Sequence, residues 1–320
     1  MEERFNTDEK QENDDFDARA FPTLAVLYPD EIHFLRSVAG TLEMAADIPV
    51  MIEGQLPHYL YFVRSGMLMV NKRHGDDIFQ VGSITPGDIF GEASILYNAP
   101  AGAGVRTVEP TALYQVDGQH IRELMKTNER FLRSLTQLAE RRSAATALAV
   151  NPVFTTLPQS VREVILYNGQ FISLETGETL IREGDSDTRF MFLVLGGEAE
   201  ASIRHPHDAK KRIVFARIGS GDEVGEISVI TGRPHAATVI ATSPLRLMAI
   251  STDSIQAWRK RYSDFGFSLY ACVQRKLQHS LEAMRNVIGE EEARARTTDT
   301  LPPIEHRHKA TGDPKGDSKE

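Results

Sequence analysis

The chain has 320 residues, 41% hydrophobic and 25% charged, with a formal net charge of −9. This length allows two soluble globular domains, and the acidic balance argues against non-specific attraction to nucleic acid or anionic lipid. The single Cys272 excludes an internal disulfide and any multi-cysteine zinc site. Its neighbours Leu269, Val273 and Leu277 suit a buried structural thiol. The longest apolar run, "FMFLVL" at 190–195, has the length of a strand, not of a bilayer span. The opening "MEERFNTDEKQENDD" is unlike a signal or transit peptide, so a cytoplasmic protein without a membrane partner is expected.

In chain order, residues 1–20 carry eight acids against Arg4, Lys10 and Arg19, and are expected to be a disordered acidic segment. "YPDEIHFLRSVAG" then reads as a helical opening, followed by short β-rich runs separated by Gly-Asp, Glu-Gly and Pro-Gly turns. Helical periodicity closes this unit, with Phe131, Leu135 and Leu138 on one face. A second helical opening, "LPQSVREVILYNG", places Ser160 and Glu163 at capping-box spacing. More short strands follow, then a helical region that Asp253 and Gln256 are placed to cap. Its stripe of Leu269, Val273, Leu277, Leu281, Met284 and Ile288 is expected to cover its own barrel, with a homodimer seam as the alternative. The polar segment 289–320, ending "LPPIEHRHKATGDPKGDSKE", is expected to be a disordered tail. It is too polar to supply a helix-turn-helix, so no sequence-specific DNA binding is expected.

The two units repeat each other. "MIEGQLPHYLYFVRSGMLMV" (51–70) parallels "IREGDSDTRFMFLVLGGEAEA" (181–201), and residues 84–113 parallel 218–247. From Gly87 and Gly221 onward the offset stays at 134, aligning Gly91-Glu92 with Gly225-Glu226 and Pro100 with Pro234. Units at 21–150 and 151–288 follow, each an antiparallel β-barrel with flanking helices. The fold class is therefore mainly β with helices (α+β), two jelly rolls in tandem.

A Gly-Asp turn, a Gly-Glu step, a short turn and "PHAATV" before a long helix together resemble the cyclic nucleotide-binding domain family. The second copy carries the "GD…GE…P.AATV" pattern and the first "GD.FGE…P". Tandem copies resemble the kinase regulatory subunits of that family more than its bacterial transcription activators. The resemblance implies a cyclic nucleotide ligand (cAMP or a relative), no catalytic residues or metal, and output through a regulated protein partner. Implied ligand-binding positions are Gly225, Glu226, Ile227, Ser228, Arg233, His235, Ala236 and Ala237, with Gly91, Glu92 and Ala93 in the first copy.

Residue chemistry agrees with that placement. Glycine before Glu lets the backbone approach a ligand closely, and the following turn can point N–H groups at a phosphate. A carboxylate only accepts hydrogen bonds, which suits a ribose 2′-hydroxyl, the family's partner for this Glu. The family's phosphate-binding Arg, however, is replaced by Ala101 and His235. Loss of a charged partner costs about 1.5–3 kcal/mol, roughly tenfold to a hundredfold in affinity. His235 supplies charge only as imidazolium, and Arg233 is the other nearby cation. A ligand-free adaptor, a receptor for cyclic di-GMP or a nucleoside, and a metal-dependent jelly-roll enzyme are the rival readings. "HPH" at 205–207 and "HRH" at 306–308 lack the further ligands a metal site needs. Arg106, Arg141-Arg142 and Arg259-Lys260-Arg261 are read as surface residues on strands and helix faces.

Overall fold

The computed structural model describes residues 16–293 apart from 75, 206, 207 and 292. The acidic residues 1–15 and the tail from 294, with the "HRH" motif, lie outside the described residues, as does His207.

Helix α1 (Pro29–Val38) opens the first unit and leads into β1 (Gly40–Met44), β2 (Pro49–Met51) and β3 (Tyr59–Ser65). The hairpin β4 (Leu68–His74) and β5 (Asp77–Ile84) follows, then β6 (Ile89–Phe90) and the short helix α2 (Glu92–Tyr97). Strands β7 (Gly104–Thr107) and β8 (Thr111–Asp117) complete the barrel, and α3 (Gly118–Thr127) and α4 (Glu129–Val150) close the unit. The second unit repeats this order with α5 (Gln159–Asn168), β9 (Gln170–Leu174), β10 (Thr179–Ile181) and β11 (Phe190–Gly196). Next come β12 (Ala199–His205), β13 (Asp208–Ile218), β14 (Glu223–Val224) and α6 (Glu226–Thr231). Strands β15 (Thr238–Ala241) and β16 (Leu245–Ser251) precede α7 (Thr252–Arg261) and α8 (Ser263–Ile288).

Each barrel is two four-stranded antiparallel sheets. The first has the orders β1-β8-β3-β6 and β2-β7-β4-β5; the second has β9-β16-β11-β14 and β10-β15-β12-β13. The repeat is preserved in register: Phe62 faces Ile89 in the first barrel and Leu193 faces Glu223 in the second. Strands β3 and β11 share a bulge, at Val63/Ser65 and Val194/Gly196.

The first core starts earlier than the composition of residues 1–20 suggests. Phe16 and Ala18 are buried, and Phe16 meets Tyr114 edge-on at 4.9 Å and Phe62 at 5.5 Å. An aromatic ring so placed contributes about 1.5–3 kcal/mol by burial alone, enough to hold its short segment against the barrel. Helix α4 belongs to both cores: Phe131 and Leu135 pack in the first, and Ala144, Ala147 and Leu148 in the second. Between the units Arg246 stacks over the Tyr97 ring at 3.8 Å.

The stripe on α8 packs within the chain. Leu269 and Val273 are buried in the second core, where Leu277 joins them, while Leu281, Met284 and Ile288 cluster with Ile203, Ile213 and Ala293. Two expected caps are placed differently. Ser160 lies inside α5, whose N-cap is Pro158, and Ser251 rather than Asp253 caps α7 by accepting from the Ser254 N–H.

Candidate ligand pocket

In both barrels a two-residue strand ends in a glycine that turns the chain into a six-residue helix. Gly91 has φ 92° and Gly225 φ 91°, a left-handed conformation. A Cβ at Gly91 would stand 2.7 Å from the Tyr59 carbonyl oxygen, and one at Gly225 3.2 Å from that of Phe190. Glycine is therefore needed for both conformation and space. The carboxylate that follows is carried into the barrel: Glu92 is 5% exposed and Glu226 3%.

In the second barrel these residues border a cavity of about 750 Å³. Gly225, Glu226, Ile227, Ser228, Arg233, His235, Ala236 and Ala237 all line it. Opposite them α8 supplies Lys276, Leu277, Ser280 and Met284, and the β12–β13 hairpin supplies Ile203 and Phe215. The size lies within the range of small-molecule sites, and the lining combines apolar walls with a few polar groups.

The polar groups at the inner end form a connected set. Lys276 Nζ lies 2.8 Å from Glu223 Oε1 and 3.4 Å from Glu226 Oε1, and donates to the Glu223 carbonyl at 2.6 Å. Glu223 also accepts from Cys272 Sγ at 2.7 Å and from Asn151 Nδ2 at 2.5 Å. Burial pushes the Glu223 carboxyl up, but Lys276, Cys272 and Asn151 outweigh it and hold the group below the usual carboxylate range. Burial likewise disfavours the Lys276 ammonium, yet the carboxylates of Glu226 and Glu223 lift its pKa above that of an ordinary lysine. Cys272 is pushed up by burial and by Glu223, which makes it an unreactive structural thiol. Glu226 has the weaker share of the lysine. Burial raises its pKa, with Lys276 only partly offsetting, and its Oε2 is buried with no hydrogen-bond partner among the described residues.

His235 is 4% exposed, so it is not a solvent-facing loop imidazole. Nε2 lies 3.0 Å from the Asp187 carbonyl oxygen and Nδ1 2.9 Å from Ser228 Oγ. A carbonyl only accepts, so Nε2 carries a hydrogen, and Nδ1 shares a hydrogen bond with the Ser228 hydroxyl. Both ring nitrogens are committed to the protein. Asp187 is itself paired with Arg189 at 2.7 Å, which holds its carboxyl down at about 2.

The first barrel answers the same question differently. Arg142 Nη1 lies 3.5 Å from Glu92 Oε2, Nη2 lies 3.4 Å from Asp88 Oδ1, and the guanidinium donates to the Ile89 carbonyl. Burial raises the Glu92 pKa and the arginine partly offsets it. Ala101, at the family's Arg position, is buried in a backbone clasp: its N–H donates to Gln55 O at 2.8 Å and its carbonyl accepts from Gly54 N at 2.9 Å. Ala93 follows Glu92 in α2.

Arg142 is thus a half-buried, paired residue rather than the surface residue its sequence context suggests. It and Lys276 are separated by the repeat offset of 134, so a basic residue at one aligned position of both closing helices was the signal that could have exposed them. Arg106 pairs with Asp47 at 2.7 Å on an exposed strand. Among the described residues no group of three His, Cys, Asp or Glu side chains could hold a metal ion, and no helix is long and apolar enough to cross a membrane.

A family model for the cyclic nucleotide-binding domain matches residues 42–128 and 171–262, more than half of the chain. The chain belongs to that family, with two copies in tandem. It is 28% identical over 208 residues to a cAMP-dependent protein kinase regulatory subunit of Yarrowia lipolytica, covering 65% of this chain and 50% of that protein. The corresponding Aspergillus niger subunit is 29% identical over 224 residues, covering 66% and 50%. The chain spans about half the length of these curated relatives. Among solved structures, the regulatory domain of Toxoplasma gondii PKA, co-crystallised with cAMP, aligns at 21% identity and TM-score 0.38 over 82% of this chain and 95% of that one.

Proposed function

We propose that this chain is a non-catalytic, cytoplasmic regulator that takes a ribose-bearing nucleotide or nucleoside in its second barrel and acts through contact with another protein. The observation that carries this reading is the unpartnered Glu226 Oε2, buried at the edge of a cavity of about 750 Å³. Leaving such an acceptor unsatisfied costs about 1–3 kcal/mol, and a ribose hydroxyl would satisfy it. The relatives are, by name, kinase regulatory subunits, which supports a protein kinase as the kind of partner. The first barrel's carboxylate is met by Arg142, which supports a structural role for that unit.

Calorimetric titration of the full chain with ribonucleosides, ribonucleotides and their 2′-deoxy counterparts tests the reading. Binding that weakens roughly tenfold or more without the 2′-hydroxyl is expected. Flat titrations with all of them would leave a ligand-free adaptor as the better account.

A further inference from the structure

The charge at the inner end of the second cavity decides which ribose-bearing ligand fits. Lys276 is shared between two carboxylates, so Glu223, Glu226 and Lys276 together carry one net negative charge when ionised. The residue where a cation for phosphate would stand is His235, whose nitrogens are both held by Ser228 and Asp187. To donate to a phosphate its ring would have to release one of these bonds. Arg217, Arg233 and Arg275 border the cavity but are solvent-exposed, and Arg217 Nε lies 3.7 Å from Glu200. An anion seated beside Glu226 would therefore face a negative floor with its nearest lysine already engaged. A neutral ligand would not. The orphaned Glu226 Oε2 asks for a hydroxyl or N–H donor, and Ile203, Phe215, Leu277 and Met284 offer apolar surface for a flat ring.

We infer that the second barrel binds an uncharged nucleoside, with ribose on Glu226 and base against the α8 and β12–β13 wall, in preference to a cyclic nucleotide. The inference rests on the ligand-binding reading of this cavity and narrows it to one charge class.

The test is calorimetry of the full chain with adenosine, guanosine, inosine and uridine against cAMP, cGMP and AMP. At least one nucleoside should bind about tenfold or more tightly than its own phosphorylated forms. Glu226→Gln should weaken that nucleoside about tenfold, with circular dichroism confirming the fold. If a cyclic or linear nucleotide binds as tightly as its nucleoside, the neutral-ligand inference falls while the ligand-binding reading stands. If no compound binds the folded chain, both fall. Unchanged nucleoside binding by Glu226→Gln would also overturn the inference, since the ribose would then sit elsewhere.

Discussion

The two barrels bring the same glycine–glutamate step to the same place and then treat the carboxylate in opposite ways. Glu92 is met by an arginine that also holds Asp88 and the Ile89 carbonyl, so the first site is tied together by its own closing helix. Glu226 shares a lysine with Glu223 and keeps an unpartnered oxygen beside a large cavity. A guanidinium offers five donors in a fixed fork, whereas an ammonium is a point charge that Glu223 engages at closer range. At this aligned position an arginine pairs with one carboxylate, and a lysine is shared between two, one of which keeps an unpartnered oxygen among the described residues. Retention of the motif does not by itself mean retention of an open site.

The largest effect that could break this comparison is loss of the cations. Lys276→Met would leave Glu223 and Glu226 buried together without a counter-charge, and should cost about 2–4 kcal/mol in urea unfolding. Arg142→Met should cost less, about 1–3 kcal/mol, because Asp88 is partly solvated. Equal losses would mean that the two closing helices hold their carboxylates alike.

Ligand binding should divide the pair more sharply than stability does. Glu226→Gln should weaken a bound ribose ligand about tenfold by calorimetry, and Glu92→Gln should leave it unchanged. A comparable loss from Glu92→Gln would make the first barrel a binding site too.

Restoring the missing cation should also favour the second barrel. His235→Arg places a guanidinium beside the cavity and should improve cyclic nucleotide binding about tenfold. Ala101→Arg should do less, because Ala101 is clasped by Gln55 and Gly54 and the carboxylate there already has Arg142. Surface plasmon resonance on immobilised cAMP would register a reversal of that order.

The smallest expected effect is on pH. Burial raises the Glu226 pKa, so its protonation begins above the ordinary carboxylate range and removes an ionised acceptor. Ligand affinity should therefore fall severalfold from pH 7 to pH 5 in the wild type, and stay flatter in Glu226→Gln. For stability the sign is reversed: a raised carboxyl pKa favours the folded state as pH falls through it, while the depressed Glu223 contributes stability that is lost on acidification. A wild-type affinity that does not change between these pH values would argue against Glu226 as the acceptor.

Much of this architecture was legible in the residues. The constant 134 offset, the turn residues and the α8 stripe specify two like barrels, because β-turn chemistry and helical periodicity are local signals. The position of Glu226 was equally readable from its glycine. Phe16 was not, since nothing in an acid-rich segment says that one ring crosses to Tyr114 and Phe62. Nor were the caps: Ser160 has the right spacing, but Pro158 starts that helix two residues earlier. Arg142 and Lys276 lie far along the chain from their carboxylates; the 134 offset aligns the two cations with each other, but which carboxylate each meets is set by how its helix docks.

Helix α4 carries a consequence for how this molecule can be taken apart. One continuous rod of 22 residues has its first half rooted in one core and its last turns in the other. A fragment cut at residue 151, where the repeat would divide, would lack Ala144, Ala147 and Leu148 and open a trough along Val153, Phe154 and Leu193. The halves of this duplication are therefore not interchangeable cassettes: the second inherits a wall from the first, and heating should melt the two in a single calorimetric transition.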